Sequence, residues 1–456
     1  MEVLRKEKLL VAAPLLLVLF FISMILPARF FQVYSLMSVS SSVSCNYLNY
    51  FDLICVFILV VSFSFLLFSN KGIRDELFFI PCFFSLVSFF CVISLLFTGH
   101  GEFVPDLISK TIIVWSSYYL SLFIKITQTS KALDKTFFFI LFALCFISLF
   151  LSSYGSYSNE SRSGTSGFGI NESALFACAL FAWALFSPKK NLFDFVLSGA
   201  GGLVAILSLF LSSSRRGLIV LAVIFIVFVF LKFYQLLLHI GKKRGKSFSL
   251  IILFMTLFFV VVLCFSFRTT IYSLLMKSAT FRRMISSASG GDLFGDDRLQ
   301  IYAYAITNLS NYWLFGFYGS DKFFANAIMG ANVHCHNLFL EFVSVFGLPV
   351  GSIFSVFFLI VFAESMSRVF GRKNRSSNGT FAAFSPSAFL LIYFVFDFIG
   401  YSLWNPKMLF LVLFSSFFVL GHPFSQDDTH SVSSPSLYRG VVIESKKENE
   451  YGIRKK

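Results

Sequence analysis

About twelve stretches of this chain are apolar over roughly the 20 residues that a helix needs to cross a bilayer. They are 9–26, 48–68, 77–97, 107–126, 136–153, 172–187, 195–212, 217–238, 248–267, 348–366, 387–403 and 407–421. Backbone groups in hydrocarbon must satisfy one another, which leaves a helix as the form each stretch can take. The expected fold is therefore all-α: a polytopic membrane protein with about twelve transmembrane helices and one large external loop. Composition agrees, with 57% hydrophobic and only 13% charged residues, against about a quarter charged in soluble domains.

A net charge of +14 raises the question of nucleic acid, but the distribution of the cations argues for topology instead. Alternate connections hold Arg5, Lys6 and Lys8, then Lys71 and Arg74, Lys131 and Lys135, Lys189 and Lys190, Lys242 to Lys246, and Arg368 to Arg375, followed by a basic tail. Such an excess marks cytoplasmic connections. Both termini are then expected in the cytoplasm and the long loop outside, with no nucleic-acid partner. MEVLRKEK and the apolar run behind it end in no small-residue cleavage site and read as a first anchor. Six cysteines (Cys55, Cys82, Cys91, Cys145, Cys178, Cys264) fall inside apolar spans, where the thiol is a small hydrophobe. Cys45 and Cys335 face the other side and could pair. No Cys-x-x-Cys occurs, and neither a metal nor a cofactor is indicated.

The regular alternation stops between Arg268 and Gly347. The expected division is a membrane domain over 1–267, a helical external loop over 268–347, three closing spans over 348–421 and a cytoplasmic tail over 422–456. The loop holds Arg268, Lys277, Arg282, Arg283 and Arg298, the acids Asp292, Asp296 and Asp297, and two of the chain's six histidines, His334 and His336. Residues 271–285 suit a helix lying in the interface. Asp296 or Asp297 can cap a second helix from Arg298, with Leu299, Tyr302, Ile306 and Leu309 as its apolar stripe. That helix should break at Gly316 and Gly319. His336 and Asn337 open a third apolar segment that bends at Gly347-Leu348-Pro349.

Two further groups of cations border the membrane. Spans seven and eight are joined by SSSRRG (212–217), which pins Arg215 and Arg216 at the boundary. Cations so placed bind an anion or snorkel to lipid phosphates. Arg162 is the one cation in the Gly- and Ser-rich connection 154–173, whose Asn171 can cap the helix that follows. Guanidinium groups grip phosphate oxygens bidentately and stay charged. A neutral histidine can take a proton from an attacking hydroxyl near neutral pH. Together these side chains suit displacement of a pyrophosphate leaving group by an alcohol. For His334 and His336, a two-histidine metal site, a helix cap and a catalytic or orienting role all remain open.

SRSGTSGFGIN (161–171), SSSRRGLIVL (212–221), DRLQIYAYAITN with FGFYG (297–319) and HNLFLEFVSVFGLPVG (336–351) occur in the order seen in the O-antigen polymerases and ligases. The chain resembles that family, most specifically in the last motif. The resemblance implies a GT-C-like, inverting, metal-independent glycosyltransferase acting on undecaprenyl-pyrophosphate-linked oligosaccharide at the periplasmic face. Carried across, His336 matches the general base. Arg215, Arg216 and Arg298 match pyrophosphate ligands, and Arg162 matches more distantly. Arg282, His334 and Asn337 complete the expected substrate-binding set. The chain departs from the family in having Val345 where many members carry an acid, a place Glu341 does not fill, and Gly-Phe-Tyr-Gly for Gly-x-Gly. The wording of the motifs favours O-antigen polymerase, with ligase as the alternative and a lipid-linked oligosaccharide flippase as the alternative of another class. The expected partners are the lipid-linked oligosaccharide, membrane lipid and a chain-length-regulating membrane protein.

Overall fold

In the computed structural model the apolar stretches fold as helices, and no strand occurs among the residues described. Those residues are 50–68, 76–127, 137–147, 149, 170–187, 191–212, 214–244, 255, 266, 296–320, 337–370, 384–398 and 406–421. In chain order the helices are α1 (Tyr50–Phe68), α2 (Phe79–Phe97), α3 (Val104–Thr127) and α4 (Phe137–Ile147). Next come α5 (Ile170–Phe186), α6 (Leu192–Ser212) and α7 (Arg215–Arg244). The loop contributes α8 (Asp296–Thr307) and α9 (Leu309–Tyr312). The series closes with α10 (Leu338–Phe370), α11 (Phe384–Phe398) and α12 (Pro406–Leu420).

Five of these helices are long and apolar enough to cross a membrane: Phe79–Phe97, Gly101–Lys125, Leu192–Phe210, Gly217–Tyr234 and Leu338–Val369. Others are apolar but shorter, α12 among them. The expected spans 9–26 and 248–267 fall on residues outside the described set, except for the helical positions 255 and 266. Surface chemistry agrees with lipid as the solvent. Along α2, Phe89, Phe90 and Leu96 are each about 60% exposed, and an apolar face of that extent in water would be a liability. The protein is a multi-pass membrane protein.

Helix α3 organises one half of the bundle, packing on α1, α2 and α12. Helices α4, α5 and α6 meet through Phe138, whose ring lies 4.0 Å from that of Trp183 and against Gly201. Helices α10 and α11 pack together and link the halves. From Met408 to Val419 every residue of α12 is buried, as expected of a helix apolar on all sides and set inside a bundle. Hydroxyls join the helices: Ser116 donates to the Cys55 carbonyl of α1 at 2.7 Å. The Trp115 indole donates to Ser85 of α2, also at 2.7 Å. Each such bond contributes about 0.6 kcal/mol in a bilayer.

Helices α1, α3 and α12 run in the same direction. At their heads Ser109 donates to the Asp52 carboxylate at 2.5 Å; near their tails Lys125 donates to the Phe417 carbonyl at 2.6 Å. The head end thus gathers Asp52, Asp106, Lys110 and Lys407, all but Asp106 buried. Pro406 opens α12, where its missing N–H costs nothing, and Lys407 lies in the first turn, at the start of the expected span 407–421.

Candidate functional site

The segment 313–320 and the bend in α10 are built as one unit. A helix would pair the N–H of residue 349 with the Val345 carbonyl, but Pro349 has none to give. That carbonyl accepts from Gly319 N–H at 2.8 Å instead. The Leu348 N–H leaves the helix to donate to the Trp313 carbonyl at 2.6 Å, and the Ser344 carbonyl it abandons accepts from Phe317 N–H at 2.9 Å. Three groups freed by the bend are therefore satisfied by the turn, as buried backbone requires. The bend occurs at Gly347, with φ +82° and ψ 165°, a conformation essentially reserved for glycine.

Gly316 faces Gly347 across this clasp. A Cβ on Gly316 would fall 2.5 Å from the Val345 carbonyl, and one on Gly347 would fall 2.5 Å from the Leu314 carbonyl carbon. Gly316 and Gly319, the expected breaks, lie in the turn after the helices have already ended, with φ +60° and +77°. The wider Gly-Phe-Tyr-Gly spacing is accommodated because Tyr318 also adopts positive φ, +48°, at a cost of about 1–2 kcal/mol. Val345 is fully buried and Glu341, one turn earlier, is 1% exposed.

Asn337 caps α10. Its amide oxygen accepts from the Phe339 and Leu340 N–H groups, both at 3.1 Å. Asn337→Ala should therefore lower stability by about 1 kcal/mol, read as a thermal shift in detergent, while Asn337→Asp keeps it. Equal damage from both would assign the amide to substrate instead.

A second capped head lies at the arginine hairpin. Ser214 accepts from the Gly217 N–H at 3.2 Å, which caps α7. Gly217 packs without room for a Cβ against Ala174 of α5, and the Cys178 thiol donates to its carbonyl at 3.3 Å. Arg215 and Arg216 occupy the first turn of a 30-residue helix that has no acid there. Helix N-termini favour anions and disfavour cations. Two arginines at this end add to the positive potential of the helix instead of relieving it, an arrangement suited to holding an anion.

The loop helix differs from expectation. It begins at Asp296, so Asp296 and Asp297 lie in its first turn beside Arg298, and it ends at Thr307 before the short α9. The buried residues are Ala305 and, in α9, Tyr312, whose hydroxyl donates to the Ala305 carbonyl. Ile306 is 60% exposed. Helices α8 and α9 both pack on α10. Asn171, expected as a cap, lies inside the first turn of α5, which starts at Ile170.

Of the expected site residues, Arg162, Arg282, His334 and His336 lie outside the described residues, as do Cys45 and Cys335. The backbone of Arg215 and Arg216 belongs to the head of α7, and that of Arg298 to the head of α8. Asn337 sets the head of α10, immediately after His336. Helix α7 packs on α5, α6 and α11, whereas α8 packs on α9 and α10. Among the described residues no group of three metal-ligating side chains gathers.

Sequence reasoning missed Ser214, although a serine directly before a helix is a start signal. It also missed the pair of buried Lys110 with half-buried Asp106, which touches the clasp at Gly319 and Ser320; a lysine inside an apolar span was the available sign. No curated protein matches the chain. Residues 200–355, which hold the arginine hairpin, the loop helices and the clasped bend, match the model of the O-antigen ligase family.

Proposed function

We propose that this protein is an O-antigen polymerase. It joins oligosaccharide repeat units carried on undecaprenyl pyrophosphate, at the periplasmic face of the inner membrane. The acceptor hydroxyl attacks the anomeric carbon of the donor sugar, whose bond to pyrophosphate breaks with inversion. His336 takes the hydroxyl proton, and the electrons of the broken bond leave with the polyprenyl pyrophosphate. Arg215, Arg216 and Arg298 hold the departing charge, with Arg162 and Arg282 as further cations and His334 and Asn337 beside the sugar. No metal or nucleotide takes part, since the anomeric phosphate bond already supplies the driving force. The fold is read as GT-C-like, with about twelve spans when the apolar runs 9–26 and 248–267 are counted.

The observation that carries this reading is the matched span, 200–355, with the arginine pair at a capped helix head inside it. His336, also inside it, directly precedes the capped head of α10. The description of the matching family supports a second reading, an O-antigen ligase that moves the finished glycan to lipid A core. Deleting the gene and resolving the lipopolysaccharide on a gel separates the readings. A polymerase deletion leaves single repeat units on the core, whereas a ligase deletion leaves none. Lipid-linked units trapped on the cytoplasmic leaflet would replace both with a flippase.

A further inference from the structure

Lys110 sits nearly two turns into α3, with its side chain only 4% exposed. A lysine near a membrane boundary ordinarily extends its ammonium toward water. This one turns inward to Asp106, at 2.7 Å, and to the Gly319 carbonyl, at 3.4 Å. The Asp106 carboxylate in turn accepts from Ser320 Oγ at 3.3 Å. Both members of the pair therefore touch the turn. Gly319 ties the turn to two helices: its N–H goes to Val345 of α10, its carbonyl to Lys110 of α3, and its Cα lies so near α3 that a Cβ would come 2.6 Å from Leu107 Cδ2.

Helix α3 does not need this pair to find its neighbours. Bonds to Asp52, Cys55 and Ser85 already tie it to α1 and α2, and α12 packs along it. A buried ion pair adds little net stability over apolar side chains of similar size, and its better-attested use is to fix a register. We propose that Asp106 and Lys110 are positioning residues for the transfer reaction. They lock the Gly316–Ser320 turn onto the head end of the bundle, and through that turn set helix α8, which carries Arg298, against the head of α10, which follows His336. This rests on the functional reading above and assigns the pair no contact with substrate.

The test uses the full-length protein in membranes and purified in detergent. The double variant Asp106→Asn/Lys110→Met removes both charges of the pair together, so insertion and thermal stability should stay near wild type. Turnover at saturating lipid-linked donor should fall roughly 10–100-fold, the effect of a misplaced site, with half-saturating donor little changed. The conservative Lys110→Arg should recover most of that loss. A cysteine pair, Phe317→Cys with Ser344→Cys, reads the clasp by oxidative crosslinking whatever the protein catalyses, and its yield should drop in the double variant. Wild-type turnover and crosslinking in the double variant would overturn the proposal. Loss of activity matched by loss of folded protein would do the same, by reducing the pair to a structural role. Wild-type polymer from His336→Ala would instead overturn the functional reading and leave the crosslinking result standing.

Discussion

Gly347→Ala is expected to be the most destructive single methyl that can be added to the described structure. The backbone there sits at φ +82° and ψ 165°, which costs an L-residue about 1–3 kcal/mol. The new Cβ would also meet main chain on the opposite side, 2.5 Å from the Leu314 carbonyl carbon and 2.9 Å from Phe315 N. No side-chain rotation relieves a backbone clash, so the turn has to move away. Three hydrogen bonds hold it: Phe317 to Ser344, Gly319 to Val345 and Leu348 to Trp313. Leaving such buried groups unpaired costs about 1–3 kcal/mol each. We expect a loss of several kcal/mol, on the order of three or more, with activity abolished even where protein accumulates. Gly199→Ala, in α6 with nothing within 4 Å of the added carbon, is the control; alanine suits a helix better than glycine. Thermal unfolding in detergent checks both. A wild-type transition for Gly347→Ala would remove the clasp from the account.

His336→Ala is expected to abolish long-chain polysaccharide while the protein inserts and melts as wild type. A positioned general base contributes about 10²–10⁴-fold to rate, enough to turn a ladder of chain lengths into a single short product. The cap of α10 belongs to Asn337, so removing the preceding imidazole spares the helix head. Reduced melting in His336→Ala, with chain synthesis retained, would make the histidine structural. Normal ladders with normal melting would leave the reaction without its proposed base.

The helices were legible in the sequence because lipid imposes a single rule, a run of apolar residues long enough to span. The bend of α10 was legible for a comparable reason, since Gly-Leu-Pro can neither continue a helix nor supply its bond. What could not be read was the partner of that bend. The clasp joins residues 313–319 to 344–348 by main-chain bonds, which carry no side-chain pattern and no period. Ile306 shows the same limit on a smaller scale. The 3–4 spaced stripe includes it, but tertiary packing decides which face of the loop helix is covered, and Ile306 is 60% exposed. Lys110 drew no reading of its own inside the span 107–126, because burial of a lysine depends on what reaches it, here Asp106 and Gly319. The arginine motif was recognised through its charges, which concealed the serine that starts the helix.

The central claim is transfer from a polyprenyl-pyrophosphate donor without a metal. The most direct measurement incubates the purified protein with undecaprenyl-pyrophosphate-linked repeat units in excess chelator. Glycan length and free undecaprenyl pyrophosphate are then followed together. The account predicts longer lipid-linked glycans, one polyprenyl pyrophosphate released per unit joined, and neither product from the His336→Ala protein. Glycans that stay one unit long with no pyrophosphate carrier released, or release that requires a divalent cation, would contradict it.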